Sequence, residues 1–391
     1  MDWQALADKY YAQCFVRPPM TLVRGEGTRV WDTEGREYLD FVAGIAVCCL
    51  GHANSDIADA VADQARQLVT VSNLYYSVPQ IELAQLLLDE SPFDRVFFTN
   101  SGAESTETAV KAARKFGRDQ RDGAFEVITA ARGFHGRTLA MTAATGTPAY
   151  QVPFAPMPAG FKQVEFNDLD AIAAAVGDDT CAIMVEPIQA EGGVWPAQEG
   201  YLAGLREICD RNGLLLIFDE VQTGIGRLGY VYGFEHWGVE PDLICLAKGL
   251  GGGFPLGAVL FKEHAQTLRP GDHGNTFGGS PAMCAAGRVV MQAIRYTGLL
   301  EHVRERGDQL VAGLNAMRPS GKVVDVRGVG LLQGFELESP ELADHVVADA
   351  RDNGLIVVKV AAAAIRMVPP LTVTDDEIDN ALSIIAESVG A

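Results

Sequence analysis

The stretch Asp242-Leu243-Ile244-Cys245-Leu246-Ala247-Lys248-Gly249 decides the fold of this chain. An apolar run followed by a glycine-rich segment, here at 249–253, is typical of a buried strand that ends in a loop. The run ends on Lys248, whose amine is poorly placed for solvent. Burial lowers the pKa of an amine, and a neutral amine is a nucleophile that condenses with carbonyl groups.

A second apolar run, at residues 214–218, ends in the acidic pair Asp219 and Glu220. Continuous apolar runs separated by helical segments predict an α/β fold, in which helices cover both faces of a mostly parallel sheet. The other runs of this kind lie at 95–99, 125–130, 181–188 and 255–261. We expect the strand that ends at Asp219 to be central, and ligands of such sheets bind at the carboxyl ends of the strands.

The pattern changes after Ser280-Pro281. Helices are predicted at 282–296, 300–317 and 342–353 and after Thr374, and short strands at 323–327, 331–337, 355–358 and 365–368. The spacing of Thr374 and Glu377 predicts a capping box. Short strands and turns also fill the N-terminal stretch. We therefore predict a large domain over 44–280 and a small α+β domain over 281–391, which the N-terminal segment 1–43 joins.

Composition narrows the possible functions. Lys and Arg number 31 and Asp and Glu 51, so a net charge of −20 should repel nucleic acid and anionic membranes. The seven cysteines form no CxxC pair, which is typical of reduced cysteines in the cytoplasm. We see no signal peptide, no run long enough to cross a bilayer and no metal-binding motif. We expect a cytoplasmic protein without a metal, nucleic acid or membrane partner.

Lys248 and Asp219 together indicate pyridoxal 5'-phosphate (PLP), which requires a lysine that forms a Schiff base and an acid against its ring nitrogen. The segment 99–105 runs from a strand directly into a helix, and the free N–H groups of a helix N-terminus bind anions such as phosphate. Gly102 permits the close approach of a phosphate, and Ser101 can cap the helix and donate its hydroxyl. Taken alone, this segment is better explained as an ordinary helix cap, and it is the other motifs that favour a phosphate site.

The segment 224–229 matches the GxGxxG pattern of dinucleotide-binding proteins. That pattern requires a helix directly after it. This chain continues instead with Tyr230-Val231-Tyr232-Gly233-Phe234, which is aromatic and interrupted by glycine. A nicotinamide cofactor is therefore disfavoured.

Other residues are suited to a flat ring or to a carboxylate. Phe134 can stack on a ring and Arg137 can hold a carboxylate through two parallel hydrogen bonds, with core packing and a surface ion pair as the alternatives. Glu186 and Glu191 follow another strand and are either acid–base groups or loop charges. Arg366 lies between apolar neighbours and, if buried, needs a partner, which a structural ion pair would also supply.

The combination of these motifs resembles the class III (ω-amino) aminotransferases, and the resemblance covers nearly the whole chain. The segments that carry it are 72–76, 99–104, 133–138, 186–193, 218–226, 247–249 and 276–279. It implies a fold type I PLP-dependent transferase with a mostly parallel, seven-stranded sheet in the large domain. It also implies a homodimer whose active sites lie at the subunit interface.

The resemblance implies roles in binding the cofactor. Lys248 would form the Schiff base and shuttle a proton, and Asp219 would hold the ring nitrogen. The residues around the ring would be Phe134, Val221 and Gln222, and those around the phosphate Ser101, Gly102, Ala103 and, from the other subunit, Thr276.

It implies substrate-binding roles as well. Arg137 would hold the α-carboxylate of an ornithine-type donor. Glu191 would mask Arg366 while that donor is bound and then release it for the α-carboxylate of glutamate or 2-oxoglutarate. Asn275, at a position where serine is common in the family, would lie near the substrate.

The reaction implied is transfer of the δ-amino group of N-acetylornithine to 2-oxoglutarate, a step of arginine biosynthesis. Transaminases of ornithine, succinylornithine and 4-aminobutyrate share the lysine and the aspartate and are alternatives. A mutase or a decarboxylase on this scaffold is disfavoured, because only a two-substrate transaminase needs the switch between Glu191 and Arg366. A cofactor-binding protein without activity is disfavoured because Lys248, Asp219 and Arg137 are all present.

Overall fold

A computed structural model describes residues 1–390 of the chain. Its strands are β1 (Leu22–Glu26), β2 (Arg29–Asp32), β3 (Glu37–Asp40), β4 (Arg95–Thr99), β5 (Glu126–Ala130), β6 (Phe161–Val164), β7 (Thr180–Val185), β8 (Ile188–Gln189), β9 (Trp195–Pro196), β10 (Leu215–Asp219), β11 (Leu243–Leu246), β12 (Gly257–Phe261), β13 (Val323–Val329), β14 (Leu332–Leu337), β15 (Leu355–Ile356), β16 (Val358–Lys359) and β17 (Ala364–Met367).

The helices alternate with these strands through the middle of the chain. They are α1 (Trp3–Tyr10), α2 (Ala43–Ala46), α3 (Ser55–Gln67), α4 (Val78–Leu88), α5 (Gly102–Gln120), α6 (Leu139–Ala144), α7 (Pro148–Gln151), α8 (Leu169–Ala175), α9 (Tyr201–Asn212), α10 (Pro281–Tyr296), α11 (Leu299–Ala316), α12 (Pro340–Asp352) and α13 (Asp375–Val389).

A seven-stranded sheet forms the centre of the molecule, with the strand order β4-β12-β11-β10-β7-β5-β6. The strand β12 is antiparallel to both of its neighbours, and the other pairs are parallel. Every residue of β7, β10, β11 and β12 is buried, because helices cover both faces. The mostly parallel α/β sheet predicted from the apolar runs is confirmed.

Two details of this sheet differ from the prediction. The apolar run at 181–188 does not form one strand, because Pro187 lacks an N–H and β7 ends at Val185, after which Ile188–Gln189 pairs with β9. The edge strand β6 is not evident from the sequence, because its residues are partly exposed and include Lys162 and Gln163.

The topology brings one end of the sheet together as a site. Since β4, β5, β7, β10 and β11 run in the same direction, their carboxyl ends lie at one edge, and the segments predicted to be chemically active follow these ends. The strand β10 is the fourth of the seven, so Asp219 ends the central strand, as expected.

A smaller antiparallel sheet, β13-β14-β17-β16, packs with α11, α12 and α13. The capping box predicted at the start of α13 is present. The strand β3 pairs in parallel with β15, which supports joining the N-terminal segment 1–43 to the small domain 281–391. We propose this division, with a large domain over 44–280.

Within residues 1–390, no helix combines the length and the apolarity that crossing a membrane requires.

Candidate active site

A cavity of about 460 Å³ lies at the carboxyl edge of the sheet. Predicted site residues from five separate segments line it, and they are Ser101, Gly102, Ala103, Phe134, Arg137, Glu191, Asp219, Val221, Gln222 and Lys248. Three predicted residues lie outside this lining, and they are Asn275, Thr276 and Arg366. The fold therefore brings most of the predicted site together in one place.

Lys248 follows the end of β11 and begins a tight turn into the glycine-rich loop. Its φ of 42° lies in the left-handed region, an uncommon conformation that is often found at functional sites. Burial lowers the pKa of Lys248 to about 8, and the positive charge of Arg366 acts in the same direction, whereas the carboxylates of Glu191 and Asp219 oppose it. A substantial fraction of this amine is therefore neutral near physiological pH.

Asp219 is buried, and both of its carboxylate oxygens are engaged. Oδ2 lies 2.8 Å from Nδ1 of His135, and Oδ1 accepts a hydrogen bond from the backbone N–H of Val221 at 3.1 Å. Burial alone would lower the pKa of His135, but the hydrogen bond and the charge of Asp219 outweigh it and the pKa is raised. The carboxylate is thus held in one orientation at the end of the central strand.

Glu186 follows β7 and is buried in the cavity wall. Its Oε2 accepts a hydrogen bond from the backbone N–H of Phe134 at 2.9 Å, which fixes the segment that carries the aromatic ring. Burial raises the pKa of Glu186 to about 8, with the charge of Asp219 adding to the effect and His135 opposing it.

The N-terminus of α5 forms one wall of the cavity. Ser101 caps the helix, since its Oγ accepts a hydrogen bond from the N–H of Glu104 at 3.3 Å. A Cβ added to Gly102 would lie 2.7 Å from Cγ1 of Val221, so only glycine leaves room for that side chain. The first N–H groups of a helix have no partner within the helix, and here they adjoin the cavity as an anion site.

The two predicted carboxylate-binding arginines have different surroundings. The guanidinium of Arg137 is exposed and lies 3.7 Å from the ring centroid of Tyr150, with no ion pair among residues 1–390. Arg366, on β17, is buried, and its Nη1 donates to Oε1 of Glu191 at 2.6 Å.

Glu191 also accepts a hydrogen bond from Nε2 of Gln222 at 3.3 Å. Burial would raise the pKa of Glu191, but the positive charges of Arg366 and Lys248 outweigh it and the pKa is lowered. Glu191 is therefore held as a carboxylate, and it occupies the face of Arg366 that an incoming carboxylate would use.

Asn275 and Thr276 lie beyond the cavity wall. Oδ1 of Asn275 accepts a hydrogen bond from Nδ2 of Asn100, and its Nδ2 donates to Oε2 of Glu104, both at 2.9 Å. Thr276 is exposed on the surface and does not line the cavity of its own chain. Its predicted contact with a phosphate in the other subunit stays a prediction.

Sequence reasoning gave no site role to several lining residues, among them Val47, Asn100, His135 and Phe254. Val47 follows a left-handed turn at Ala43–Ala46 that no sequence pattern announces. For His135 a signal did exist, because it stands next to Phe134 within a segment already predicted to be functional.

The residues present fit PLP. The neutral amine of Lys248 suits an aldehyde, the oriented carboxylate of Asp219 suits a ring nitrogen, and the helix N-terminus at Gly102 suits a phosphate. In addition, Oε1 of Gln222 is buried without a hydrogen-bond partner among the described residues. A hydroxyl on a bound ring would satisfy this oxygen, since buried polar atoms are rarely left unpaired.

A mostly parallel seven-stranded sheet with these groups at its carboxyl edge defines a fold type I PLP-dependent transferase. The family model described as Aminotransferase class-III matches residues 10–389. The chain belongs to the class-III aminotransferases, and it is a PLP-dependent transaminase.

Comparison with individual proteins agrees with this assignment. A protein of Caldanaerobacter subterraneus named acetylornithine aminotransferase is 48% identical over 96% of this chain and 96% of its own. The structure of N-acetylornithine aminotransferase from Stenotrophomonas maltophilia is 35% identical, with a TM-score of 0.84 over 99% of this chain and 98% of its own. A structure of ornithine aminotransferase from Toxoplasma gondii is 31% identical, with a TM-score of 0.94 over 99% of this chain and 93% of its own, and describes partial occupancy of PLP at its active site.

Proposed function

We propose that this chain transfers the δ-amino group of N-acetylornithine to 2-oxoglutarate, as a step of arginine biosynthesis. The observation that carries the proposal is the pair of arginines near one cavity, Arg137 without an ion pair and Arg366 covered by Glu191. Such a site suits two substrates that present their carboxylates differently. The higher identity to a protein named acetylornithine aminotransferase than to one named ornithine aminotransferase supports the choice of donor.

When bound, PLP supplies an aldehyde that condenses with amines and a ring that accepts electrons. We propose that Nζ of Lys248 takes the proton from the substrate carbon that bears nitrogen, holds it and returns it within the same half-reaction. The lowered pKa of Lys248, about 8, suits an amine that must both accept and release a proton near neutral pH.

Asp219 would keep the ring nitrogen protonated. Its orientation by His135 and by the N–H of Val221 supports this role, because a carboxylate fixed in advance needs no rearrangement when charge develops on the ring. Phe134 and Val221 would contact the two faces of the ring, and Gln222 its hydroxyl. The phosphate would lie at Ser101, Gly102 and Ala103.

Arg137 would bind the α-carboxylate of N-acetylornithine while Glu191 neutralises Arg366. When the acceptor arrives, Glu191 would move aside, and Arg366 would bind the α-carboxylate of 2-oxoglutarate through two parallel hydrogen bonds. Asn275 would support this region from outside the cavity wall. Because the two half-reactions alternate, the kinetics should be ping-pong.

The test of the donor is a comparison of kcat/KM for N-acetylornithine, ornithine, N-succinylornithine and 4-aminobutyrate, each with 2-oxoglutarate. We expect N-acetylornithine to give the highest value. Arg137→Gln should raise the KM for N-acetylornithine, whereas Arg132→Gln, at an exposed ion pair with Glu165, serves as the control and should leave it unchanged. The proposal would be abandoned if 4-aminobutyrate gave the highest kcat/KM.

We also propose a homodimer in which Thr276 of each chain reaches the phosphate site of the other. Nδ2 of Asn73 donates to the backbone oxygens of Asn275 and Gly278, so the segments around them are adjacent. Large apolar side chains on these segments are strongly exposed, and they are Leu74, Tyr75, Tyr76 and Phe277. An exposed apolar patch of this kind favours an interface with a second copy.

The cytoplasm is the location that we propose for this enzyme. The seven cysteines and their lack of CxxC pairs support a reducing compartment. Fractionation of the source cells, followed by immunoblotting, would test it, and recovery of the protein in a secreted fraction would contradict it.

A further inference from the structure

We propose that Arg327 is a positioning residue that holds the segment 190–194, here called the switch loop, against the small domain and so sets how strongly Glu191 masks Arg366. The inference rests on the proposed function, because it concerns how two substrates share one site.

Arg327 lies on β13 and contacts Gly193 within the loop and Trp195 directly after it. Its Nε donates to the backbone oxygen of Gly193 at 2.8 Å, and its guanidinium lies 3.6 Å from the ring centroid of Trp195. Its Nη1 is held in turn by Oδ2 of Asp325 at 2.8 Å and Oε2 of Glu336 at 2.7 Å. The arginine is therefore anchored in the small domain and fastens the loop that carries Glu191.

The switch loop is strained in this position. Val194 has a φ of 58°, which is a genuine outlier for a β-branched residue. Its side chain is buried, and a Cβ added to Gly334 would lie 2.7 Å from Cβ of Val194. Gly334 pairs directly with Arg366 across β14 and β17, so the strained residue packs on the face of the sheet from which Arg366 projects, beside the arginine that Glu191 covers.

Strain of this kind persists only where surrounding contacts hold it in place. The bond from Arg327 to Gly193 and the stacking on Trp195 are such contacts. Without them, the loop should relax away from the small domain and carry Glu191 with it. Because Glu191 competes with an incoming carboxylate for Arg366, a looser loop should strengthen the binding of dicarboxylates.

The experiment is Arg327→Gln in the holoenzyme, with glutarate as the probe. Glutarate lacks the oxo group of 2-oxoglutarate and cannot react, so titration calorimetry reports affinity alone. We expect the affinity for glutarate to rise by about tenfold, as the loss of a charge-assisted hydrogen bond implies. The preference for N-acetylornithine over glutamate as donor should fall by a similar factor. Damage to the fold would lower the affinity for glutarate, so it cannot be mistaken for the expected increase.

Trp195→Ala breaks the same contact from the side of the loop, and Trp195 is 39% exposed, so this variant should fold even if Arg327→Gln does not. It should act in the same direction, and the double variant should add little to either single change.

Arg327→Lys keeps a positive charge near Asp325 and Glu336 but lacks the guanidinium donor, so it should resemble Arg327→Gln. Arg318→Gln removes a hydrogen bond to the backbone oxygen of Val324 and is the matched control without effect.

The variant Glu191→Gln distinguishes a failure of the role proposed for Arg327 from a failure of the proposed masking of Arg366. If it strengthens glutarate binding while Arg327→Gln and Trp195→Ala leave it unchanged or weaker, the role of Arg327 is refuted and the proposed function stands. If Glu191→Gln has no effect either, the masking of Arg366 is wrong, and the inference falls with it. Failure of N-acetylornithine as a donor would overturn the proposed function independently.

Discussion

The amine of Lys248 is made reactive by its surroundings. Burial at the end of β11 removes the water that would stabilise an ammonium ion, and the nearby guanidinium of Arg366 repels positive charge. Glu191 moderates this repulsion because it pairs with Arg366. The ion pair that we propose as the control of substrate binding therefore also tunes the amine.

We predict that the apoprotein captures PLP with a pH dependence set by Lys248. Only the neutral amine attacks an aldehyde, so the rate should rise with pH and level off above about pH 8, because the pKa of Lys248 is lowered to about 8. Stopped-flow absorbance across a pH series, normalised to a lysine-containing peptide, measures this rate. Lys248→Ala gives the background from surface lysines. A rate that kept rising towards pH 10.5, the ordinary pKa of lysine, would contradict the prediction.

Single residues were predictable where they follow apolar runs. Lys248 and Asp219 stand at the ends of buried strands, a position in which charged side chains are uncommon without a function. The contact between His135 and Asp219 could not be predicted, because it joins side chains 84 positions apart and depends on the packing of two strands.

At the scale of elements, the junction between β4 and α5 is tightly constrained. Val221, from the loop after β10, packs so closely on the helix start that no side chain fits at Gly102. The end of α5 proposed to bind the phosphate and the residue proposed to contact the ring, Val221, are thereby held in a fixed relation to each other.

We predict that Gly102→Ala weakens PLP binding by about tenfold or more, because the added Cβ would lie 2.7 Å from Cγ1 of Val221 and must displace it or the helix end. Titration of the apoprotein with PLP, followed by absorbance, measures the affinity. Gly177→Ala is the matched control, since it is exposed and its Cβ would meet only the end of Lys162, 4.0 Å away. Equal affinities for Gly102→Ala and the natural chain would show that this packing does not matter.

Elements were predictable in proportion to their burial. Strands buried on both faces, such as β10 and β11, give continuous apolar runs, whereas β6 at the edge of the sheet has partly exposed residues and gives no such signal. The helix α5 extends over Gly102–Gln120, but only its middle carries the buried apolar face, so the sequence marks its two ends poorly.

For the molecule as a whole, the main question is whether two chains complete each other's sites, as the proposed homodimer requires. Thr276 is exposed and lies outside the cavity of its own chain, beside apolar side chains that a monomer would leave in water. The sequence could suggest this arrangement only through the family resemblance, because contacts between chains leave no periodic pattern in either chain.

We predict that hybrid dimers restore PLP binding that each parent lacks. In a mixture of Lys248→Ala and Thr276→Ala chains, one site of each hybrid has its own Lys248 and receives Thr276 from the other chain. Borohydride reduction followed by mass spectrometry counts chains that carry covalently attached PLP at limiting cofactor. Lys248→Ala mixed with itself is the control. No gain over the average of the two parents would contradict the proposed dimer.

The contact of the Arg137 guanidinium with the ring of Tyr150, without an ion pair among residues 1–390, has a practical consequence. A guanidinium fixed in this way is ready for any small organic acid, since little side-chain freedom is lost when one binds. Acetate, citrate and succinate buffers should therefore behave as weak competitors of the amino donor. Enzymologists who measure this protein should choose uncharged or cationic buffers before they compare one amine with another.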